Sequence, residues 1–216
     1  MNKTTLTIII IILLLATTAR SSTQVGTTDR QLQEVVVMGG KHKLRNLTSR
    51  GICIPGAVSI FTPNRVGCEV GTALSTKHRF EVEEITFDIV SNNIDSATLC
   101  IQIYHESTLT PLLPCSLLVS IPEGKKQFST ATLTEHTLLE PGDYIVAITF
   151  ADCDESAKQQ WSNHGQWDSQ MRHQMQRESS IQFPLYMKNG YMRNSTTETF
   201  ERCPVNIGLK VKGKRL

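Results

Sequence analysis

The chain has 216 residues, with 22 Lys and Arg against 20 Asp and Glu, so its net charge is only +2. That balance excludes the strong one-signed field that would make nucleic acid or an anionic lipid surface the expected partner. With 39% hydrophobic and 19% charged residues the composition is that of a folding chain, and a single all-β domain can use this length without splitting.

In chain order, Lys3 precedes an apolar run from Leu6 to Ala16, followed by the small residues Thr17, Thr18, Ala19, Ser21 and Ser22. This is the layout of a secretory leader over residues 1–22, with Ala19 and Ser21 both acceptable cleavage positions. The apolar run is about eleven residues, short of the roughly 20 that a spanning helix needs, so no stable membrane span is expected after leader removal. Residues 23–50 read as an extended polar linker. They are interrupted by Glu34-Val35-Val36-Val37-Met38 and Gly39-Gly40, a short β segment able to add to the sheet edge of an envelope protein.

Residues 51–216 read as one antiparallel β-sandwich or jelly roll. Ile85, Phe87 and Ile89 alternate with polar neighbours, as do Leu99, Ile101 and Ile103, which is the period of a half-buried strand. The same spacing recurs at Leu117, Val119 and Ile121; at Tyr144, Val146, Ile148 and Phe150; at Ile181, Phe183, Leu185 and Met187; and at Ile207, Leu209 and Val211. In each, one face is expected in the core and the other in water. Pro122-Glu123-Gly124, Pro141-Gly142-Asp143 and Asn189-Gly190 punctuate the runs, the last as the strongest hairpin signal. Asp154 to Ser180 breaks the texture: it is polar, shows no sustained helical period with caps, and reads as a long loop, functional or disordered, carrying Trp161 and Trp167.

Six cysteines follow the leader: Cys53, Cys68, Cys100, Cys115, Cys153 and Cys203. Export would let them form disulfides, with a pairing that spacing does not select; the alternative is that several are small buried apolar side chains. No pair has zinc-site spacing, and His164, Asp168 and His173 supply no third placed ligand, so neither metal nor cofactor is expected. Catalysis lacks a signature as well. There is no nucleophile elbow, the histidines at 42, 78, 105, 136, 164 and 173 are scattered, and Glu83-Glu84 as strand neighbours should point to opposite faces.

Several segments together resemble a known family. They are Leu32-Gln33-Glu34-Val35-Val36-Val37, Gly67-Cys68-Glu69-Val70-Gly71, Ile85-Thr86-Phe87-Asp88-Ile89 with Asp95-Ser96, Ile101-Gln102-Ile103-Tyr104, and Phe183-Pro184-Leu185 through Tyr191-Met192-Arg193-Asn194 to Asn206-Ile207-Gly208-Leu209. In order and spacing they are similar to the β-sandwich region of the carboxypeptidase-like regulatory-domain-containing envelope proteins of Bacteroidota. The regulatory domain itself has no room before Gln31. The resemblance implies an exported β-protein of the periplasm, outer membrane or extracellular space, and supplies no catalytic residue. Asp95-Ser96-Ala97 looks like an O-glycosylation motif of that phylum, on Ser96.

The functional expectation is therefore a non-catalytic binding module for carbohydrate or protein, with Trp161 and Trp167 as aromatic platforms. The alternative is an assembly partner that docks through residues 34–38. An unrecognised hydrolase would instead require a deep pocket with convergent polar groups.

Overall fold

The structure is a computed structural model that describes residues 44–48, 51–113 and 117–216. Eleven strands are found there: β1 (Leu44–Thr48), β2 (Ile52–Phe61), β3 (Glu69–Thr76), β4 (Phe80–Asn92), β5 (Ala97–His105), β6 (Leu117–Ile121), β7 (Gly124–Leu139), β8 (Gly142–Asp152), β9 (Ile181–Arg193), β10 (Glu201–Asn206) and β11 (Lys210–Arg215). Every pairing between them is antiparallel. The order β1-β11-β4-β7 makes one layer and β9-β3-β8-β5-β6 the other, as the alternating sequence pattern requires of a β-sandwich.

β9 serves both layers. Its first residues pair with the end of β4 (Gln182 with Ser91, Ile181 with Asn92), whereas Gly190 to Arg193 pair with β3. Between those stretches β10 breaks register: Cys203 faces Gly190 but Val205 faces Met187, so β9 carries one extra residue there. Asn189-Gly190 is thus part of a bulge inside a strand and not the hairpin expected from sequence. Glycine is required there because an added Cβ would lie 2.0 Å from the Val205 carbonyl oxygen. The bulge also ends the inward row of β9. Ile181 and Phe183 are sealed and Leu185 is half-buried, but Met187, expected in the core, is 64% exposed.

The inward positions of β4, β5 and β8 behave as their period demands, whereas Ile207 and Leu209, expected in a strand, are buried in irregular chain before β11, and Leu117 and Val119 of β6 are only half-buried. Ile85, Phe87, Leu99, Ile101, Ile103, Val146, Ile148, Phe150, Ile207, Leu209 and Val211 are all buried in one cluster. Each such side chain removed from water contributes about 1.5–3 kcal/mol. Phe61 stacks on Phe150 at 5.7 Å and meets Phe183 edge-on at 5.3 Å, so the rings of β2, β8 and β9 interlock at the centre.

Three expectations need correction. The wet face assigned to β8 is dry, since Ile145 and Ala147 are buried under a second cluster with Tyr104, Tyr191 and Phe200. Asp154 to Ser180 is not a structureless loop. It forms α1 (Glu155–Trp161) and α2 (Ser169–Glu178), joined by a 3-10 turn at His164–Gln166. Asp154 and Asp168 cap the two helices, accepting from Ser156 N at 2.8 Å and Met171 N at 2.7 Å. The helices escaped the pattern because α1 buries only Ala157 and Trp161, and α2 buries none of its residues. Finally, Leu44–Thr48 falls in the range read as linker, yet pairs along its length with β11.

Candidate functional site

One open feature of this framework lies where β9 passes from one layer to the other. A cavity of about 380 Å³ runs along four consecutive residues of β2, Val58 to Phe61. Neighbours on a strand point to opposite faces, so a cavity that touches all four meets the strand's backbone as well as its side chains. Its remaining wall is largely apolar: Val70 of β3, Leu185 and Met192 of β9, and Val205 of β10, with Arg65 at the rim. A second, more open hollow of about 510 Å³ shares Val58, Ile60 and Gln176 with it and adds His173 and Arg177 of α2. The two form one groove beside β2.

Beneath the groove sits a buried charge. Glu69 is 1% exposed and Arg193, its cross-strand partner, is 9% exposed. Arg193 Nε donates to Glu69 Oε2 at 2.6 Å, and Nη2 lies 2.5 Å from the same oxygen. Tyr104 donates its hydroxyl to Glu69 Oε1 at 3.0 Å and accepts from Arg193 Nη2 at 2.9 Å. Arg193 Nη1 donates to the Glu198 carbonyl at 3.2 Å, and the guanidinium lies 4.2 Å from the Phe200 ring centre. The carboxylate is therefore neutralised by a guanidinium that donates from all three of its nitrogens, which is the condition under which a charge can be buried. Burial, and then the Glu69 carboxylate, push the Tyr104 hydroxyl well above the usual phenol range, so it stays a proton donor. On the same face Tyr191 bonds to Glu106, which also pairs with Arg202 at 2.6 Å; burial and that bond push the Tyr191 hydroxyl up to about 12.

The residues singled out from sequence are distributed elsewhere. Trp161 and Trp167 are brought together, with ring centres 4.9 Å apart, but Trp161 is 3% exposed. It fills the interior side of α1, so the expected pair of exposed platforms is corrected to one half-buried ring, Trp167. His164 bonds to the Trp161 carbonyl at 2.8 Å and Asp168 is occupied as a helix cap, while His173 lines the groove. Among the described residues no three His, Cys, Asp or Glu side chains are grouped to hold a metal. Ser96 is exposed in the β4–β5 turn with a positive φ of 53°. Glu83 and Glu84 do not diverge as expected: a register break between Val82 and Glu84 leaves both half-exposed, paired to Lys214 at 2.6 Å and Lys212 at 2.9 Å.

Cys53 is exposed, Cys68 and Cys153 are buried and Cys203 is half-buried, and all four are free thiols. Cys68 and Cys203 line the groove, with their sulfurs donating to the carbonyls of Asn194 at 3.3 Å and Val205 at 3.1 Å. Burial pushes the Cys203 thiol up, and pushes Cys153 up to about 11, so both stay protonated near neutrality. Cys100 is half-buried on β5. Cys115, the leader, and Glu34 to Met38 lie outside the described residues.

The groove residues Arg65, Val58, Ile60 and Arg177 were missed by sequence reasoning, and nothing local distinguishes them. Glu69 did carry a signal, as a charge between Cys68 and Val70-Gly71 in an otherwise apolar and small-residue segment, whereas Arg193 follows Lys188-Asn189 in a mixed one.

The fold defines an antiparallel all-β sandwich protein. No protein-family model matches the chain, and no curated protein does. Among solved structures it is similar to the cysteine protease and lectin-like domains of Cwp84, a surface layer associated protein of Clostridium difficile. The TM-score is 0.39 at 9% identity, covering 76% of this chain and 37% of that one. It is also similar to a family two carbohydrate esterase from Cellvibrio japonicus, with a TM-score of 0.27 at 11% identity, covering 80% of this chain and 34% of that one. The chain thus spans little more than a third of the length of either, and neither likeness bears on its chemistry.

Proposed function

We propose that the chain is an exported, non-catalytic binding module of the cell envelope that holds an apolar group of a protein partner in the groove beside β2. The observation that carries this reading is a largely apolar cavity of about 380 Å³ beside β2, where β9 passes between the two layers. That volume is in the range of natural ligand sites, and apolar walls with few polar groups are their usual lining. The polar groups at hand suit holding better than chemistry: Glu69 is already neutralised by Arg193, and the Cys203 thiol is kept protonated by burial. A leader-like amino terminus and the resemblance of residues 67–71, 101–104 and 183–209 to envelope proteins support the location. Glu69, Tyr104 and Arg193, which come from three of those segments, meet at the groove's base.

The fluorescence of the apolar dye anilinonaphthalene sulfonate tests this. The folded protein should enhance and blue-shift the dye, and Val70→Trp, which fills the cavity, should abolish the effect while leaving the circular dichroism spectrum unchanged. Equal enhancement by the folded Val70→Trp variant, or none by the native protein, refutes the groove as the binding site.

A further inference from the structure

The charges around the groove say more about what it takes. Arg65 lines the first cavity alone, and His173 with Arg177 line only the second, while Val58, Ile60 and Gln176 belong to both. Arg65 and Arg177 therefore line different parts of a groove whose shared floor is Val58, Ile60 and Gln176. Among the described residues neither Arg65 nor Arg177 has a carboxylate within ion-pair distance. Within those residues the Arg65 guanidinium reaches the Asn194 side-chain oxygen, at 3.4 Å. α2 is tied in place by its C-terminal turn, where Asn93 donates from its side chain to the Arg177 carbonyl at 2.6 Å and from its backbone to the Ser180 carbonyl at 2.9 Å. The Arg177 end is thereby held at the groove.

β2 itself adds the third element. Among the described residues it pairs with β9 alone, so its other edge carries unmatched N–H and C=O groups. Unmatched strand edges accept a further strand from another chain, and alternate side chains of that strand then fall on one face. Ile52, the first residue of β2, is 77% exposed and lies across from Met187, itself 64% exposed, so a second patch of apolar surface lies on β2 beyond the register break that separates Cys53 from Val58.

Resting on the groove reading above, we infer that the partner is an extended peptide segment, apolar at alternate positions and acidic at its ends, which adds as a strand to the free edge of β2. Its apolar side chains enter the cavity over Val58 and Ile60, and its carboxylates meet Arg65 at one end and Arg177 with His173 at the other. Paired backbone groups supply affinity, and the separated cations supply register and specificity.

The experiment uses the whole mature chain and four probes. These are a seven-residue peptide of alternating valine and threonine with glutamate at both ends, its glutamine-ended analogue, the acidic peptide N-methylated at alternate amides, and dodecanoate as a simple anionic amphiphile. Binding is read by calorimetry at low and at high salt. The acidic peptide should bind about five- to tenfold tighter than the glutamine-ended one, with the difference shrinking at high salt and vanishing in Arg65→Gln/Arg177→Gln. N-methylation should weaken binding by more than about tenfold, because it removes donors and blocks strand pairing. Equal binding of the acidic and neutral peptides, undiminished binding after N-methylation, or binding of dodecanoate without either peptide would each overturn the inference. Dye binding without peptide binding would sink this inference and leave the groove reading standing, whereas loss of dye binding would sink the groove reading itself. Arg177 is exposed and Arg65, half-buried, makes a single long contact to Asn194, so the double variant should fold, and an unchanged circular dichroism spectrum and melting temperature serve as the control.

Discussion

Replacing Arg193 by Met puts the buried charge at the base of the groove to a direct test. The Glu69 side chain is 0% exposed and that of Arg193 is 8% exposed, so the substitution strands a carboxylate in the interior with only the Tyr104 hydroxyl as a donor. Removing one member of a buried ion pair costs about 3–5 kcal/mol, and losing the guanidinium over Phe200 adds up to about 1 kcal/mol more. For a domain of this size each kcal/mol lowers the melting temperature by about 2–4 °C, so Arg193→Met should melt at least about 6 °C below the native protein. Glu69→Gln/Arg193→Met removes the charge as well as its partner and should recover a substantial part of the loss. Urea and thermal unfolding, followed by circular dichroism on all three proteins, check both statements. A single variant within about 1 kcal/mol of native, or a double variant no better than the single, would refute the reasoning that Glu69 is buried as an ion whose stability depends on Arg193.

Trp161→Ala should cost about 3–5 kcal/mol by opening a cavity under α1, while Trp167→Ala should cost less than about 1.5 kcal/mol; denaturant unfolding of the two separates a core ring from a half-exposed one. Gly190→Ala should cost about 2–4 kcal/mol, because its methyl would meet the Val205 carbonyl; a loss under about 1 kcal/mol would mean that the strand bulge is not there. Tyr104, Tyr144 and Tyr191 all have hydroxyls raised by burial, Tyr191 to about 12. A hydroxyl held neutral in the folded state contributes stability that is fully present below about pH 10 and is lost as pH rises through the folded value. Tyrosinate absorbance should therefore lag in the folded chain and appear with unfolding. All four tyrosines titrating together near pH 10 with the fold intact would contradict this.

Alternation made the sandwich legible. A strand that buries one face must repeat its apolar residues every second position, and Ile85, Phe87, Leu99, Ile101 and Ile103 do so without interruption, so their burial follows from chain geometry alone. Helices α1 and α2 were not legible, because a helix that buries two residues or none leaves hardly any period to read. Asn189-Gly190 has the composition of a tight turn, and the same freedom from a side chain suits a bulge; which of the two it becomes depends on β10 arriving within 2.0 Å of where a Cβ would stand.

The groove belongs wholly to the tertiary level. Val58 and Arg65 lie near one another in the chain, but Arg177 and Val205 are far along it and meet them only in the folded protein, beside the strand β9 that serves both layers. The amino-acid sequence by itself determined the alternating strands such as β4, β5 and β8 and the apolar faces they turn to a shared core, since each is a local consequence of side-chain direction, whereas β1, β2, β3, β7 and β10 were not picked out by it. The position of the opening between the layers, the pairing of Glu69 with Arg193 and the burial of Trp161 were decided by register and packing, which depend on residues distant in sequence and leave no periodic trace in it.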